Sequence, residues 1–177
     1  MLHFGEVRFE PVERRDHVSH LVKFGNDGGL NKLKTTKRRT CVSEQEELVD
    51  HLHEREDYFL FIISAPSDKI RIGTCEIYDV DWVARTCRAC IWMTDRAENI
   101  PAFGSQATNI LGNYIFKTIG LQKLSIDVVT EDVVMMALYK NHGFQQELRK
   151  RNHLYLRGKY KTIVEFGLLS EEFEIKI

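Results

Sequence analysis

A short run of small residues ahead of a helical pattern is the first feature of this 177-residue chain that suggests chemistry. The run is Ala102-Phe103-Gly104-Ser105, and a helix is predicted to begin at Gly104 or Ser105. The first turn of a helix carries unpaired N–H groups and the positive end of the helix dipole, so it binds phosphate well. The spacing is therefore compatible with a phosphate site, although a glycine before a helix more often marks a plain turn.

Four cysteines, Cys41, Cys75, Cys87 and Cys90, could offer thiol or metal chemistry. Cys87 and Cys90 form a C-x-x-C pair, a spacing that redox and zinc sites use. They fall in a predicted strand, however, where residues three apart point to opposite faces of a sheet. No second Cys or Cys/His pair is spaced to complete four ligands. We therefore predict reduced, partly buried thiols and no bound metal.

The bulk composition is that of an ordinary globular protein. Hydrophobic residues make up 43% of the chain, charged residues 29%, and the formal net charge is −1. A near-neutral chain is not typical of a protein that binds nucleic acid or an anionic membrane. No apolar run has the length of a membrane span, and no signal-peptide pattern opens the chain. We expect one domain over residues 1–177, in the cytoplasm, with neither nucleic acid nor membrane as partner.

The periodicity of apolar residues predicts the elements that position these groups. Strands are predicted at 6–12, 58–63, 70–80, 84–93, 124–129, 144–149 and 162–169, helices at 13–24, 43–54, 105–119 and 132–141, and irregular stretches at 30–42, 94–103 and 151–161. A capping-box pattern at Ser43–Glu46 marks the second helix, and Gly143 ends the fourth. The order predicts an α+β fold, in which an antiparallel meander precedes one βαβ crossover.

Three features together resemble the GNAT N-acetyltransferase superfamily. They are the order of elements, the turn at 102–105, and Leu138-Tyr-Lys-Asn-His-Gly-Phe144, which matches that family's Leu-Tyr-x-x-x-Gly-Phe motif. The resemblance covers nearly the whole chain. The ending Gly158–Glu172 resembles the subgroup of ribosomal-protein alanine, spermidine and amino-sugar acetyltransferases. It implies a mixed, mostly antiparallel sheet of about seven strands, flanked by about four helices.

The resemblance also implies a reaction. An enzyme of this family moves an acetyl group from acetyl-CoA to a primary amine by direct attack in a ternary complex, with no metal. The acceptor would be a polyamine, an amino-sugar nucleotide or a protein N-terminus. The architecture is compatible with a homodimer. The family's pyrophosphate loop corresponds to Asn99-Ile-Pro-Ala-Phe-Gly104, where Asn99 replaces a basic or amide residue and Ala102 replaces the first glycine.

The coenzyme contacts that the resemblance implies lie in three stretches. Backbone N–H groups at the end of the strand 84–93 would polarise the thioester carbonyl. The loop and the last helix would contact the rest of the coenzyme. The residues concerned are Ile91, Trp92, Met93, Asn99, Ala102, Phe103, Gly104, Ser105, Asp132 and Tyr139.

Two catalytic residues follow from the resemblance. Tyr139 holds the family's position for the general acid that protonates the departing thiolate, although such a ring can simply pack the helix on the sheet. Glu76 is the candidate general base, because Arg88 stands where some relatives carry an acidic residue on the next strand. Glu76 is equally well interpreted as a surface carboxylate paired with Arg88 or Lys69. Asp127 is a further candidate base with the same alternative.

Two other functions stay open at this stage. A coenzyme-binding or sensing module without turnover would fit Pro101, Ala102 and the missing acid on the strand 84–93. A nucleic-acid-binding protein would use the basic residues of 32–39 and Arg149–Arg151, but the near-neutral charge argues against it.

Overall fold

The computed structural model describes residues 2–26, 39–65, 70–94, 100–156 and 158–176, with the backbone alone for residues 15 and 100–102. The strands are β1 (Leu2–Phe4), β2 (Val7–Pro11), β3 (Phe59–Ser64), β4 (Arg71–Asp81), β5 (Thr86–Met93), β6 (Lys123–Val129), β7 (Gln145–Leu156) and β8 (Lys159–Leu169). The helices are α1 (Arg14–Asn26), α2 (Val42–His51, extended by a 3-10 turn at Leu52–Glu54), α3 (Ile100–Gly112, extended by a π-helical turn at Asn113–Thr118) and α4 (Val133–Asn141).

The strands form one eight-stranded sheet in the order β1-β2-β3-β4-β5-β6-β8-β7. Every neighbouring pair is antiparallel except β5 and β6, which are parallel and joined through α3. This confirms the predicted α+β fold with one βαβ crossover after an antiparallel meander. The sequence did not predict β1, a three-residue edge strand. It reaches β2 through a turn that contains Gly5, whose φ of +57° favours glycine.

The two faces of the sheet are covered differently. On the back face, Cys75, Ile77, Ala89 and Ile91 pack with α3 and α4 in the main core. On the front face, Leu60 and Ile62 pack with Leu21 of α1 and with side chains of α2. A separate small cluster on β6, β7 and β8 contains Val129, Leu154 and Ile163.

Strand β5 shows the alternation of faces most clearly. Cys87, Ala89 and Ile91 are buried on the back face, whereas Arg88 and Cys90 are only half-buried on the front face. The prediction that Cys87 and Cys90 point to opposite faces is therefore confirmed. None of the four cysteines forms a disulfide.

Three predicted boundaries were wrong. Helix α3 begins at Ile100, not at Gly104 or Ser105, because proline is tolerated in the first helical turn, where its missing N–H costs no hydrogen bond. Helix α2 begins at Val42, since the Cys41 N–H donates to Glu44 Oε2 at 3.2 Å and so moves the capping box two residues earlier.

The third error concerns residues 151–161, which were predicted to be an irregular polar stretch. This segment contains the ends of β7 and β8, which pair at the edge of the sheet. Polar, exposed side chains are normal on an edge strand, so polarity did not distinguish it from a loop. Among the described residues, no helix is long and apolar enough to cross a membrane.

Candidate active site

The two parallel strands at the centre of the sheet pair only at their beginnings. The pairs are Thr86–Lys123, Cys87–Leu124 and Arg88–Ser125. Beyond them, β5 and β6 continue to Met93 and Val129 without pairing with each other in the described chain. We call the opening between these two strand ends the cleft. Backbone N–H and C=O groups along its edges have no ladder partner across it, so they can bind the amide groups of an extended ligand.

The first turn of α3 follows β5 and therefore lies close to the end of the cleft. Because α3 begins at Ile100, only Ala102 of the four residues Ala102–Ser105 belongs to the first turn, whose N–H groups have no acceptor within the helix. Pro101 contributes no N–H. The predicted donors at Phe103, Gly104 and Ser105 are thus inside the helix ladder. Asn99 lies outside the described residues.

Gly104 and Ser105 contact α4 in the structure. A Cβ atom on Gly104 would lie 2.9 Å from Leu138 Cδ2, so glycine permits close packing of the two helices. The Ser105 hydroxyl is hydrogen-bonded to His142 Nε2 at 2.9 Å. Phe103 is half-buried against the main core. Coenzyme contact by these three residues stays a prediction, whereas their structural contacts are clear.

Side-chain hydrogen bonds fix α3 along its length. Gln106 Oε1 accepts from the N–H groups of Glu6 (2.8 Å) and Val7 (3.1 Å), next to β2. Asn109 exchanges two hydrogen bonds, of 2.6 and 3.0 Å, with the backbone of Lys176. The helix is therefore held between the strand edge and the C-terminal segment.

Both ends of helix α4 are capped by hydrogen bonds, and the C-terminal end lies in the Leu138–Phe144 motif. Asp132 is the N-cap, and its Oδ1 accepts from the Met135 N–H at 3.2 Å. At the other end, the Gly143 N–H donates to Lys140 O and the Phe144 N–H donates to Tyr139 O, both at 3.0 Å. This is a Schellman motif with Gly143 at φ +87°. Asp132 therefore acts as a helix cap, and coenzyme contact by Asp132 stays a prediction.

Tyr139 lies on the back face and is 1% exposed. Its ring packs against Phe144 and Phe166, with centroid distances of 5.1 and 6.4 Å. Burial raises the pKa of Tyr139 well above its usual value, and the nearby Cys90 and Cys75 thiols raise it further. The phenol is thus neutral and reaches towards β4 and β5. The packing role is observed, and the catalytic role of the hydroxyl stays a prediction.

A cavity of about 440 Å³ opens on the front face, beside the cleft. Strands β4, β5 and β6 each contribute side chains to its wall, and β7, β8 and the end of the α2 segment close it. The lining residues are Arg55, Tyr58, Glu76, Tyr78, Cys90, Trp92, Asp127, His153, Leu154 and Ile163. Aromatic and aliphatic walls with a few polar groups are typical of small-molecule sites.

Glu76 lies in the wall of this cavity, with Tyr78 on the same face of β4. It accepts a hydrogen bond from the Tyr58 hydroxyl at 3.2 Å. Burial, followed by the charge of Glu76, raises the pKa of Tyr58, so the phenol keeps its proton and donates. The proposed alternative partner Arg88 instead binds other carboxylates, and Lys69 lies outside the described residues.

Arg88 belongs to an ionic network across four strands. It binds Asp127 at 2.8 Å and Glu165 at 3.3 Å. Lys150 binds the same carboxylates, at 3.5 and 2.6 Å. Two cations therefore face two carboxylates, and Asp127 is held in ion pairs. Burial raises the pKa of Tyr78, a further partner of Arg88, to about 12.

The end of β5 supplies the other predicted contacts. Ile91 and Met93 face the back and pack in or against the main core, whereas Trp92 faces the front cavity. Gly73 on β4 lies so close to this end that a Cβ atom would be 1.9 Å from Trp92 O. A glycine inside a strand pattern signals such an approach. Tyr58 was also not predicted as a site residue, since a continuous apolar run does not indicate which of its side chains face a cavity.

Comparison with known proteins places this geometry in a family. The family described as "Acetyltransferase (GNAT) domain" matches residues 14–162. The chain belongs to the GNAT acetyltransferase family. It is an enzyme that uses acetyl-CoA as donor and an amine as acceptor, as the sequence resemblance implied. The cleft and the α3 turn suit an extended phosphorylated donor, and the buried Trp92 Nε1, which has no partner in the described chain, leaves a hydrogen bond for a ligand.

Individual GNAT relatives are distant in sequence and near in fold. Spermidine N(1)-acetyltransferase of Escherichia coli K12 is 19% identical over 168 residues, which cover 94% of this chain and 88% of the relative. A crystal structure of the Vibrio cholerae spermidine N-acetyltransferase with CoA and spermine superposes with a TM-score of 0.85 at 18% identity, covering 94% of this chain and 97% of that one. Another, described as dodecameric, has a TM-score of 0.79 at 18% identity and covers 94% and 95%.

Proposed function

We propose that this enzyme acetylates a primary amine of a small polyamine such as spermidine, with Glu76 as general base and Tyr139 as general acid. The observation that carries the proposal is the position of these two residues. Glu76 lies in the front cavity beside the cleft, and Tyr139 reaches the same strands from the back. A donor bound in the cleft would be approached by the amine from one face and by the phenol from the other.

The cavity suits a cationic acceptor. Glu76 offers a carboxylate to an ammonium group, and the rings of Tyr58, Tyr78 and Trp92 line the same space. Aromatic faces attract cations by roughly 0.5 to 2 kcal/mol, depending on how far both are desolvated. The amine must lose a proton before it can attack, and Glu76 would accept that proton directly or through a water molecule. The Escherichia coli and Vibrio cholerae relatives are both named for spermidine acetylation.

The cleft and the first turn of α3 would hold the coenzyme. Acetyl-CoA supplies, when bound, an acyl group activated as a thioester. The facing edges of β5 and β6 would hold its amide groups, and backbone N–H groups around Trp92 and Met93 would face the carbonyl. The first turn of α3, through Ala102, would face the phosphates. Tyr139, neutral because it is buried, would donate its proton to the departing sulfur.

A thiol-release assay tests the proposal. Acetyl-CoA would be combined with spermidine, spermine, an amino-sugar nucleotide or a peptide with an unblocked N-terminus. We expect turnover with the polyamines at the highest kcat/KM. Preference for the sugar or the peptide would refute the polyamine class, and acetyl-CoA binding without turnover of any amine would refute the enzyme.

Glu76→Gln tests the base. Removing a general base lowers kcat by roughly 10²- to 10⁴-fold, and the loss should shrink as the pH rises and more of the amine is already neutral. Glu174→Gln is the control, since Glu174 is exposed on the C-terminal segment and pairs with Lys176. Equal rates for the wild type and Glu76→Gln would remove Glu76 from the mechanism.

We also propose that the chain self-associates in the cytoplasm. Strand β7 is a sheet edge with mostly exposed side chains, among them Leu148 and Tyr155, which are 50% and 48% exposed. Edge strands and apolar side chains of this kind commonly pair with another chain. The unbridged cysteines fit a reducing compartment. Light scattering should give a mass above 20.7 kDa, and Leu148→Lys should lower it.

A further inference from the structure

Trp92 carries a buried N–H group that has no partner. Its Nε1 atom is shielded from solvent and makes no hydrogen bond within the described residues, although the side chain lines the front cavity. An indole N–H can only donate. Buried donors are nearly always satisfied in native proteins, so an unpartnered one beside a cavity points to an acceptor atom on a ligand.

The position of Trp92 narrows the choice of ligand atom. It lies on the part of β5 that no longer pairs with β6, at the edge of the cleft. On the same face, Trp92 is opposite Thr74, and the next pair along is Cys90 opposite Glu76. Trp92 and Glu76 are thus diagonal neighbours, roughly 7 to 8 Å apart along the sheet. An amine at Glu76 and the carbonyl that it attacks fit between the two side chains.

The polyamine and the acetyl group differ in whether they offer a hydrogen-bond acceptor to the Trp92 N–H. A protonated polyamine has donors and no acceptor, so it cannot satisfy the Trp92 N–H. The acetyl group brings a carbonyl oxygen, which accepts. The Tyr58 hydroxyl nearby is already engaged, because it donates to Glu76 at 3.2 Å. Two buried side-chain atoms of the described residues have no hydrogen-bond partner, Trp92 Nε1 and His142 Nδ1, and of these two Trp92 Nε1 belongs to a residue of the cavity wall.

We propose that Trp92 Nε1–H donates a hydrogen bond to the acetyl carbonyl oxygen and is a catalytic residue of this enzyme. The inference rests on the proposed function. As the amine lone pair forms the C–N bond, negative charge grows on that oxygen, and the indole stabilises it without giving up its proton. The C–S bond then breaks with its electrons moving to sulfur. Glu76 takes the proton from nitrogen, and Tyr139 gives one to sulfur.

The end of β5 is held firmly enough for this task. The backbone of Trp92 lies against Gly73, where a side chain would not fit. Two residues after Trp92, the Thr94 N–H donates to Ile72 O at 2.7 Å. A donor that is fixed before the reaction stabilises developing charge without reorganising, which is the condition for a large effect on rate.

The test compares Trp92→Phe with Trp82→Phe. Phenylalanine keeps an aromatic ring and removes the N–H. Trp82 is a matched control, because it is 45% exposed and its Nε1 donates to Glu56 O at 3.1 Å, outside the cavity. Calorimetry gives the dissociation constants of acetyl-CoA and of CoA, which has no acetyl oxygen. We expect Trp92→Phe to lower the preference for acetyl-CoA over CoA about 5- to 10-fold and kcat roughly 10²-fold, with the amine KM nearly unchanged. Trp82→Phe should change none of these.

Two results would overturn the inference and leave the acetyltransferase intact. One is an unchanged kcat and acetyl-CoA preference in Trp92→Phe. The other is a raised amine KM alone, which would assign the N–H to the acceptor. A wild-type chain that binds no acetyl-CoA would instead refute the proposed function itself.

Spectroscopy of the wild-type protein tests the inference even if Trp92→Phe fails to fold. The chain has 2 tryptophans, so ¹⁵N-labelled indole gives two signals. Acetyl-CoA should shift the Trp92 Nε1–H signal downfield relative to CoA and leave that of Trp82 in place. Identical spectra with the two ligands would overturn the proposal.

Discussion

Replacing Gly73 by alanine should disable the enzyme while most of the fold survives. Gly73 lies on β4 opposite Met93, at the end of β5 that borders the cleft. An added Cβ atom would be 1.9 Å from Trp92 O, 2.9 Å from Trp92 C and 3.0 Å from the Cα of Met93. All three are backbone atoms, so no side-chain rotation can relieve the clash. The end of β5 must move.

The size of that movement sets the expected effect. Real Cβ atoms are essentially never closer than 3.0 Å to another heavy atom, so the 1.9 Å approach requires a displacement of about 1 Å. Overpacking of this kind costs about 1 to 3 kcal/mol of unfolding free energy. A 1 Å misplacement of reacting groups can cost about 10²-fold in rate. We expect Gly73→Ala to lose stability in that range and about 10²-fold in kcat/KM.

Gly158→Ala is the matched control for this experiment. Gly158 has φ +80° and nothing within 4 Å of an added Cβ, so the change costs only backbone strain of about 1 to 2 kcal/mol. Urea unfolding should thus give comparable losses for both variants, whereas thiol release should fall only for Gly73→Ala. Wild-type activity in a folded Gly73→Ala variant would refute the reasoning that Gly73 positions the site.

Three further predictions concern single groups. Tyr139→Phe keeps the ring packing, so we expect an unchanged melting temperature and coenzyme affinity but a kcat at least 10²-fold lower; an unchanged rate in the thiol-release assay would remove the hydroxyl from the mechanism. Arg88→Met leaves Asp127 and Glu165 with Lys150 alone, and since these groups are only partly buried, urea unfolding should show a loss of about 2 kcal/mol; a loss below about 0.5 kcal/mol would contradict the ionic network. Burial lowers the pKa of His142, so the unfolded chain binds a proton at its ordinary 6.5 before the folded chain does, and stability should fall as the pH drops below about 6.5. Between pH 7.5 and pH 5.5, the urea midpoint should fall less for His142→Gln than for the wild type. An equal fall would exclude His142 as a source of this pH dependence.

The fold could be predicted because its signals are local. In α3, Ala107, Ile110, Leu111, Tyr114 and Ile115 follow the spacing of one helix face, and all of them are buried except Tyr114, which is half-buried. The Leu-Tyr-x-x-x-Gly-Phe motif is also a local signal, because the residues that define it are the ones that end helix α4. The start of α3 was missed because Pro101 was taken as a loop residue, although proline suits a first helical turn equally well.

The candidate site was predicted less completely, because its environment depends on residues far apart in the chain. Nothing in the sequence around Arg88 indicates that its partners are Asp127 and Glu165 rather than Glu76. The strand order determines these partners, because it places β5, β6 and β8 side by side. The hydrogen bond from Tyr58 to Glu76 likewise joins β4 to the residue preceding β3.

The ionic network around Arg88 also changes how a basic residue on β5 is interpreted with respect to catalysis. In the sequence, the missing acid on the strand 84–93 was one reason to keep a chain without turnover as an alternative. In the structure, Arg88 pairs across β4 and β5 with Tyr78, and Glu76 is two residues along the same face. Arg88 and Lys150 hold Asp127 and Glu165 in ion pairs, so both carboxylates already have cationic partners. A carboxylate on the neighbouring strand is available to the same cavity, and the loss of an acid from β5 does not require the loss of a base. On this argument Arg88→Met should leave the dependence on Glu76 intact, because the base is on β4.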